Sequence, residues 1–191
     1  MPRRGGRLVV ESEHPGDEAA ISRVLAVAFS DGGWRSSDGE ARLVEQLRGS
    51  DAWVPELSLV ARVDGEVVGH LLFSRAVVET ADGDVEVLAL APLAVLPGFE
   101  STFAGTRLMR AGLSEARRLG FRAVVVLGHP GYYRRFGFRP AGSAGIRAPF
   151  PVPGDAWMVL ELREGALSGT EGTVRYPAAF ASVTEDSATA G

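Results

Sequence analysis

A tyrosine- and arginine-rich segment carries the side chains best suited to chemistry. Gly128–Phe138 reads GHPGYYRRFGF, so two phenols and two guanidinium groups lie within a few residues of each other. A phenol can donate a proton to a leaving group, and a guanidinium can bind phosphate oxygens. The segment follows the apolar run Val124–Leu127, which predicts a buried strand. Because ligand sites of α/β proteins lie beyond the carboxyl ends of strands, we expect a site here.

Hydrophobic periodicity predicts the elements that must position this segment. A first helix has an apolar face from Ile21 to Phe29, and further helices are predicted over 40–48 and 106–119. The predicted strands cover 8–10, 57–63, 67–78, 85–96, 122–127 and about 157–162. With the tyrosine segment as the last helix, the resulting order is β-α-α-β-β-β-α-β-α-β. This order predicts an α/β fold with a mixed, largely antiparallel sheet flanked by helices.

Pro92 interrupts the predicted strand 85–96. Proline has no N–H to donate to a strand ladder, so pairing must fail there, either at a sheet edge or at a bulge.

These features resemble those of the GNAT superfamily of N-acetyltransferases. The tyrosine segment is similar to the last conserved block of small bacterial members, Gly-x-Pro-x-Tyr-Tyr-x-x-Phe-Gly-Phe, and the element order over 8–162 is that of the family. The resemblance implies an acyl-CoA N-acyltransferase-like fold that uses acetyl-CoA to acetylate a primary amine by direct attack. It also implies that the strand at Leu93, Ala94 and Val95 splays from its neighbour and takes the pantetheine arm.

The loop after this strand departs from the family pattern. The resemblance implies that Glu100, Ala104, Gly105 and Thr106 hold the CoA pyrophosphate at a helix N-terminus. Yet Glu100 stands where the family has a polar or basic residue, and Phe103 replaces a glycine. A second interpretation therefore stays open, namely a binding or assembly module on this fold that has lost catalysis or CoA binding. Arg107 or Arg110 could supply the missing positive charge.

The resemblance also implies catalytic roles. Tyr133 matches the tyrosine that protonates the departing CoA thiolate, which is reasonable because a phenol has a pKa of about 10 and a thiol one of about 8.5. Tyr132 is expected to be structural and His129 to be a local hydrogen-bonding group. A base must deprotonate the amine, and Glu86 is predicted in preference to Glu79.

Composition limits the remaining alternatives. Cysteine is absent and only three histidines occur, so we expect no metal site. The net charge of −4 argues against nucleic-acid binding, and no apolar stretch predicts a membrane span or a secretion signal, so a cytoplasmic location is expected. We expect the acceptor to be a small-molecule or peptide amine. Trp34, Trp53 and Trp157 are candidate pocket residues, although Trp157 is better explained as a buried core residue; a homodimer is left open.

The chain is long enough for one domain. We expect a flexible N-terminus over 1–6, an acetyltransferase-like domain over 7–165, an extension packing on it over 166–181 and a disordered tail over 182–191.

Overall fold

The structure, a computed structural model, describes residues 6–30 and 37–181. Residues 1–5, Trp34 and the predicted tail 182–191 lie outside the described residues. The elements run, in chain order, β1 (Leu8–Ser12), α1 (Glu18–Ala28), α2 (Ser37–Arg48), β2 (Ser58–Val63), β3 (Glu66–Thr80), β4 (Gly83–Val95), α3 (Ala104–Arg118), β5 (Ala123–Leu127), α4 (Pro130–Tyr133), β6 (Arg139–Pro140), β7 (Ile146–Arg147), β8 (Trp157–Glu161) and β9 (Gly172–Arg175).

The described strands form one mixed sheet in the order β1-β2-β3-β4-β5-β8-β6. Adjacent strands on this path are antiparallel where registers are given, except that β4 and β5 pair in parallel. The crossover from β4 to β5 is made by α3, which gives a βαβ unit. The predicted α/β class, with a largely antiparallel sheet flanked by helices, is confirmed.

The two faces of the sheet carry separate apolar cores. Alternating residues of β3 point to opposite faces, so that Leu71 packs towards α3, whereas Leu72 packs with the core that includes α1 and α2. The apolar side of α3 includes Leu108 and Met109, both fully buried. Helices therefore cover both faces of the sheet. The packing of Leu108 and Met109 fixes the position of α3 relative to the end of β4.

The C-terminal extension contains a strand that the sequence did not predict. Within it, β9 pairs antiparallel with the later part of β3, through Val77–Arg175 to Glu79–Thr173. The extension thus adds main-chain hydrogen bonds to the sheet.

Candidate active site

The centre of the sheet opens where β4 passes Pro92. Here the pairing of β3 with β4 shifts from Leu71–Leu93 to Phe73–Leu90, and the Ala91–Pro92 peptide bond is cis. Pairing does fail at the proline, as expected, and it fails as a bulge within a central strand and not at an edge.

The parallel pairing of β4 with β5 is correspondingly short. It covers only Leu88–Val124 and Ala89–Val125, while the later residues of β5 continue to pair with β8 on their other side. The end of β4 therefore has no described partner strand on its β5 side.

Main-chain groups of β4 face this opening. The N–H of Leu96 bonds to the carbonyl of Val68, at 2.8 Å, on the β3 side. Because successive residues of a strand point their N–H and C=O groups to opposite edges, those of Val95 point into the opening.

The loop after β4 leads into α3 through a left-handed residue. Glu100–Thr102 form a single 3-10 turn, and Phe103 then takes φ of 60°, with its side chain 67% exposed. The first turn of α3 follows directly, and its N–H groups have no acceptor within the helix. The Glu100 carboxylate accepts a hydrogen bond from the N–H of Gly98 at 2.7 Å.

Tyr133 lies across the opening, on the short helix after β5. Its ring is largely buried and packs edge-on against Phe138 and Tyr132, with centroid distances of 5.6 and 5.1 Å. A Cβ at Gly128 would lie 2.4 Å from the ring, so only glycine at this position allows the ring to sit there. Gly128 is the first residue of the tyrosine segment, and the position of the Tyr133 ring is the physical reason for a glycine there.

A cavity of about 450 Å³ connects these parts. Six of the predicted site residues line it, namely Leu93, Val95, Glu100, Gly105, Thr106 and Tyr133. Phe103, His129, Tyr132 and Arg135 complete the lining.

The other predicted site residues do not line this cavity. Ala94 and Ala104 are buried in the cores on opposite faces of the sheet. By the same alternation the main-chain groups of Ala94 point towards β3, so of these two residues only Ala104 could offer a main-chain group to a ligand. Glu86 lies near the start of β4, half exposed, and its carboxylate binds the Arg75 guanidinium at 2.7 Å.

The arginines near the cavity have different roles. The Arg107 guanidinium donates to the carbonyl of Leu8 at 3.2 Å, and Arg134 pairs with Asp155 at 2.7 Å. Arg135 lines the cavity, with its guanidinium 4.5 Å from the centroid of the Tyr132 ring. The cavity lining thus carries one carboxylate, Glu100, and one guanidinium, Arg135.

Neither of the two candidate pocket tryptophans that the structure describes, Trp53 and Trp157, lines this cavity. Trp157 is buried and donates its ring N–H to the carbonyl of Ile146 at 3.0 Å, which makes it a core residue. Trp53 packs beneath Arg48, whose guanidinium is 5.8 Å from a ring centroid.

A buried polar network lies among β1, β2, β3 and α2. Nε2 of His70 lies 3.0 Å from Ser58 Oγ and 3.6 Å from a Glu13 carboxylate oxygen, and Arg48 binds Glu13 at 2.7 Å. Burial alone would raise the pKa of Glu13, but hydrogen bonds from His70, Arg48 and Ser58 outweigh it and lower that pKa to about 2. Burial lowers the pKa of His70, and Glu13 opposes this only in part, so the imidazole is neutral. This network could not be recognised from the sequence, because its four residues are far apart in the chain.

Residues 6–30 and 37–181 contain neither a metal-binding cluster nor a helix suited to span a membrane. No group of three or more His, Cys, Asp or Glu side chains there could hold a metal ion. No helix there is long and apolar enough to cross a membrane.

An α/β sheet that opens beside a helix N-terminus, with a tyrosine across the opening, is the architecture implied by the resemblance to the acyl-CoA N-acyltransferase-like fold. The acetyltransferase (GNAT) family profile matches residues 25–138, and the chain belongs to this family.

Two Escherichia coli K12 relatives resemble the chain in sequence. The uncharacterized N-acetyltransferase YhbS is 35% identical over 170 residues, which are 88% of this chain and 96% of that protein. The uncharacterized N-acetyltransferase YjhQ is 42% identical over 127 residues, covering 64% and 70% of the two chains.

Two solved structures resemble it in fold. Escherichia coli YhbS in complex with CoA has a TM-score of 0.82 at 32% identity, covering 95% of this chain and 96% of that one. A GNAT family acetyltransferase from Brucella melitensis in complex with acetyl-CoA has a TM-score of 0.75 at 32% identity, covering 92% and 99%. Acetyl-CoA is therefore the cosubstrate of this family.

Proposed function

We propose that this protein transfers the acetyl group of acetyl-CoA to a primary amine, by direct attack of the amine on the thioester. One observation carries the proposal: a single cavity joins the N-terminus of α3, Tyr133 and the end of β4, which has no described partner strand on its β5 side. The CoA and acetyl-CoA complexes of the two similar structures support the same assignment.

The cavity residues suit the parts of the cosubstrate. N–H groups of Ala104, Gly105 and Thr106 in the first turn of α3 are suited to bind the pyrophosphate. Arg135 supplies the positive charge that Glu100, a carboxylate, cannot supply. Main-chain groups of Leu93 and Val95 would pair with the amides of the pantetheine arm.

The reaction follows from this arrangement. The amine nitrogen attacks the thioester carbonyl, the N–H of Val95 stabilises the developing oxyanion, and the carbon–sulfur bond then breaks. Tyr133 donates its hydroxyl proton to the leaving thiolate, and a base takes a proton from the amine nitrogen.

The base assignment of Glu86 stays a prediction. Since the side chain pairs with Arg75 and does not line the cavity, its participation would require an acceptor site that extends along β4. An unchanged pH–rate profile for Glu86→Gln would remove it from the mechanism. The cytoplasmic location and the small-molecule or peptide class of the amine also stay predictions, and the homodimer stays open.

The role of Tyr133 is tested by Tyr133→Phe in an assay of CoA release with a panel of primary amines. General acids typically contribute 10²–10⁴-fold, so we expect kcat to fall by about 10²-fold or more while the Kd of acetyl-CoA changes little. Tyr176→Phe, which alters a tyrosine of the C-terminal extension, is the matched control. Unchanged turnover in Tyr133→Phe would exclude Tyr133 as the acid.

The second candidate is a module without catalysis, which Glu100 and Phe103 at the phosphate-binding turn favour. A thermal-shift titration separates the transferase from a module that has lost CoA binding, because a ligand at 100 times its Kd stabilises a fold by about 2.7 kcal/mol. A shift with acetyl-CoA supports the transferase. No shift at millimolar acetyl-CoA would contradict it.

A further inference from the structure

The hydroxyl of Tyr132 is a buried polar group without a hydrogen-bond partner among the described residues. Most buried polar groups in native proteins are hydrogen-bonded, and an unpaired one destabilises the fold. A donor of this kind beside a ligand cavity is explained if the ligand provides its acceptor.

The ring of Tyr132 is held by three neighbours. The Arg135 guanidinium lies 4.5 Å from its centroid, Tyr133 packs edge-on at 5.1 Å and Phe136 lies at 5.4 Å. Arg135 is itself fixed by a 3.2 Å hydrogen bond from Nε to the carbonyl of Tyr132. Ring and guanidinium therefore form one packed unit that directs the hydroxyl.

The hydroxyl is directed at the first turn of α3. A Cβ on Gly105 would lie 3.0 Å from the hydroxyl oxygen and 3.6 Å from a methyl carbon of Val95. The phenol therefore spans from α4 to the junction of β4 and α3, where the helix N–H groups suited to bind pyrophosphate begin. Glycine at 105 leaves room for the hydroxyl at this junction.

The hydroxyl remains a donor at neutral pH. Burial raises the pKa of Tyr132 above that of an ordinary tyrosine, and the nearby Arg135 opposes only part of the rise.

We propose that Tyr132 binds the pyrophosphate of CoA, donating a hydrogen bond to a phosphate oxygen beside the N–H groups of α3. The inference rests on the proposed function. Tyr132 and Arg135 together then provide the recognition that the family obtains from a polar or basic residue at the position of Glu100. Tyr132 lines the cavity that would hold the ligand.

The test is Tyr132→Phe, which removes only the hydroxyl. Calorimetric titration with CoA, dephospho-CoA and pantetheine separates the parts of the ligand, because the first two share the pyrophosphate and the third has no phosphate. A hydrogen bond to a charged group corresponds to about 10- to 100-fold in affinity. We expect the Kd of CoA and of dephospho-CoA to rise by this factor and that of pantetheine to stay the same.

Three outcomes would overturn the inference. Unchanged affinity for CoA would exclude the bond, and an equal loss for pantetheine would assign the hydroxyl to the pantetheine arm. A loss for CoA but not for dephospho-CoA would assign it to the 3′-phosphate. If the wild-type protein bound no CoA, the proposed function would fail as well, so the two failures are distinguishable.

The free protein gives an independent readout. Since the hydroxyl is unpartnered without ligand, Tyr132→Phe should leave the Tm of the free protein unchanged or raise it. A lower Tm would indicate a structural role instead.

Gly105→Ala provides a second variant. In the wild-type background its methyl group meets the hydroxyl at 3.0 Å, whereas in Tyr132→Phe that contact is absent. We expect the loss of CoA affinity caused by Gly105→Ala to be smaller in the Tyr132→Phe background. Additive effects would contradict the contact.

Discussion

At the scale of single residues, Glu100 and Arg135 set the electrostatics of the cosubstrate cavity. The carboxylate of Glu100 is held by the N–H of Gly98, which directs it back towards the start of the loop. In the proposed complex, this hydrogen bond would let a carboxylate stand at the turn that faces the pyrophosphate without closing the site. Its negative charge still opposes a phosphate that binds at the start of α3.

Glu100→Gln should tighten CoA binding. Glutamine keeps an acceptor for Gly98 but removes the charge, and one like-charge repulsion at about 4 Å in water corresponds to ~1 kcal/mol, or about fivefold in Kd. Titration at low and high ionic strength is the measurement, because salt screens this repulsion and should shrink the gain. The exposed Glu164, changed to glutamine, is the control. Weaker binding by Glu100→Gln would mean that the carboxylate helps to hold the ligand.

At the scale of elements, the junction between the β4 loop and α3 contains a strained residue. Phe103 has a left-handed backbone conformation, which costs a residue with a side chain about 1–2 kcal/mol. Its side chain recovers little by packing, since two thirds of it is exposed. The helix N-terminus that serves the cavity is therefore positioned at the expense of stability.

Phe103→Gly should stabilise the fold. Relief of the backbone strain exceeds the extra entropy that glycine gives the unfolded chain, so we expect the free energy of unfolding to rise by about 0.5–1 kcal/mol. Denaturant unfolding measures it. Phe103→Ala is the matched control, because it removes the ring without relieving the left-handed conformation. A loss of stability in the glycine variant alone would show that the backbone at 103 is not strained.

At the scale of the whole molecule, the network of Glu13, His70, Ser58 and Arg48 joins elements that are far apart in the N-terminal half of the chain. It links the end of β1 to α2, β2 and β3, and β3 in turn pairs with β4. β4, the strand that lines the cavity, is thus connected through β3 to a polar network whose charges depend on pH.

Stability should fall on acidification in two stages. The pKa of His70 is lowered on folding, so stability is lost as the pH falls below about 6.5, where the unfolded imidazole takes up a proton and the folded one does not. The pKa of Glu13 is lowered from 4.5 to about 2, so its contribution, about 3 kcal/mol, is present above pH 4.5 and lost as the pH falls through 2.

Denaturant unfolding of the wild type and Glu13→Gln across this range measures the second stage. The stability difference between the two proteins should shrink from about pH 5 to 2. A constant difference would contradict the role assigned to the Glu13 carboxylate.

The sequence alone determined the order of the elements from β1 to α4, the fold, the family and the place of Tyr133 after a buried strand. These depend on local signals: hydrophobic periodicity, a proline within a strand, and a motif whose residues are contiguous. The failure of strand pairing at Pro92 was predictable for the same reason, since the missing N–H belongs to the residue itself, but the choice between a sheet edge and a bulge was not.

Only the tertiary structure decided which side chains share the cavity. Arg135 contributes the positive charge while Arg107 binds Leu8, and Glu86 lies near the start of β4 beside Arg75. The approach of Tyr132 to Gly105 joins the short helix α4 to the first turn of α3, and these two segments are separate in sequence. Such contacts depend on strand register and on how a helix crosses the sheet, and neither is encoded in the spacing of residues along the chain.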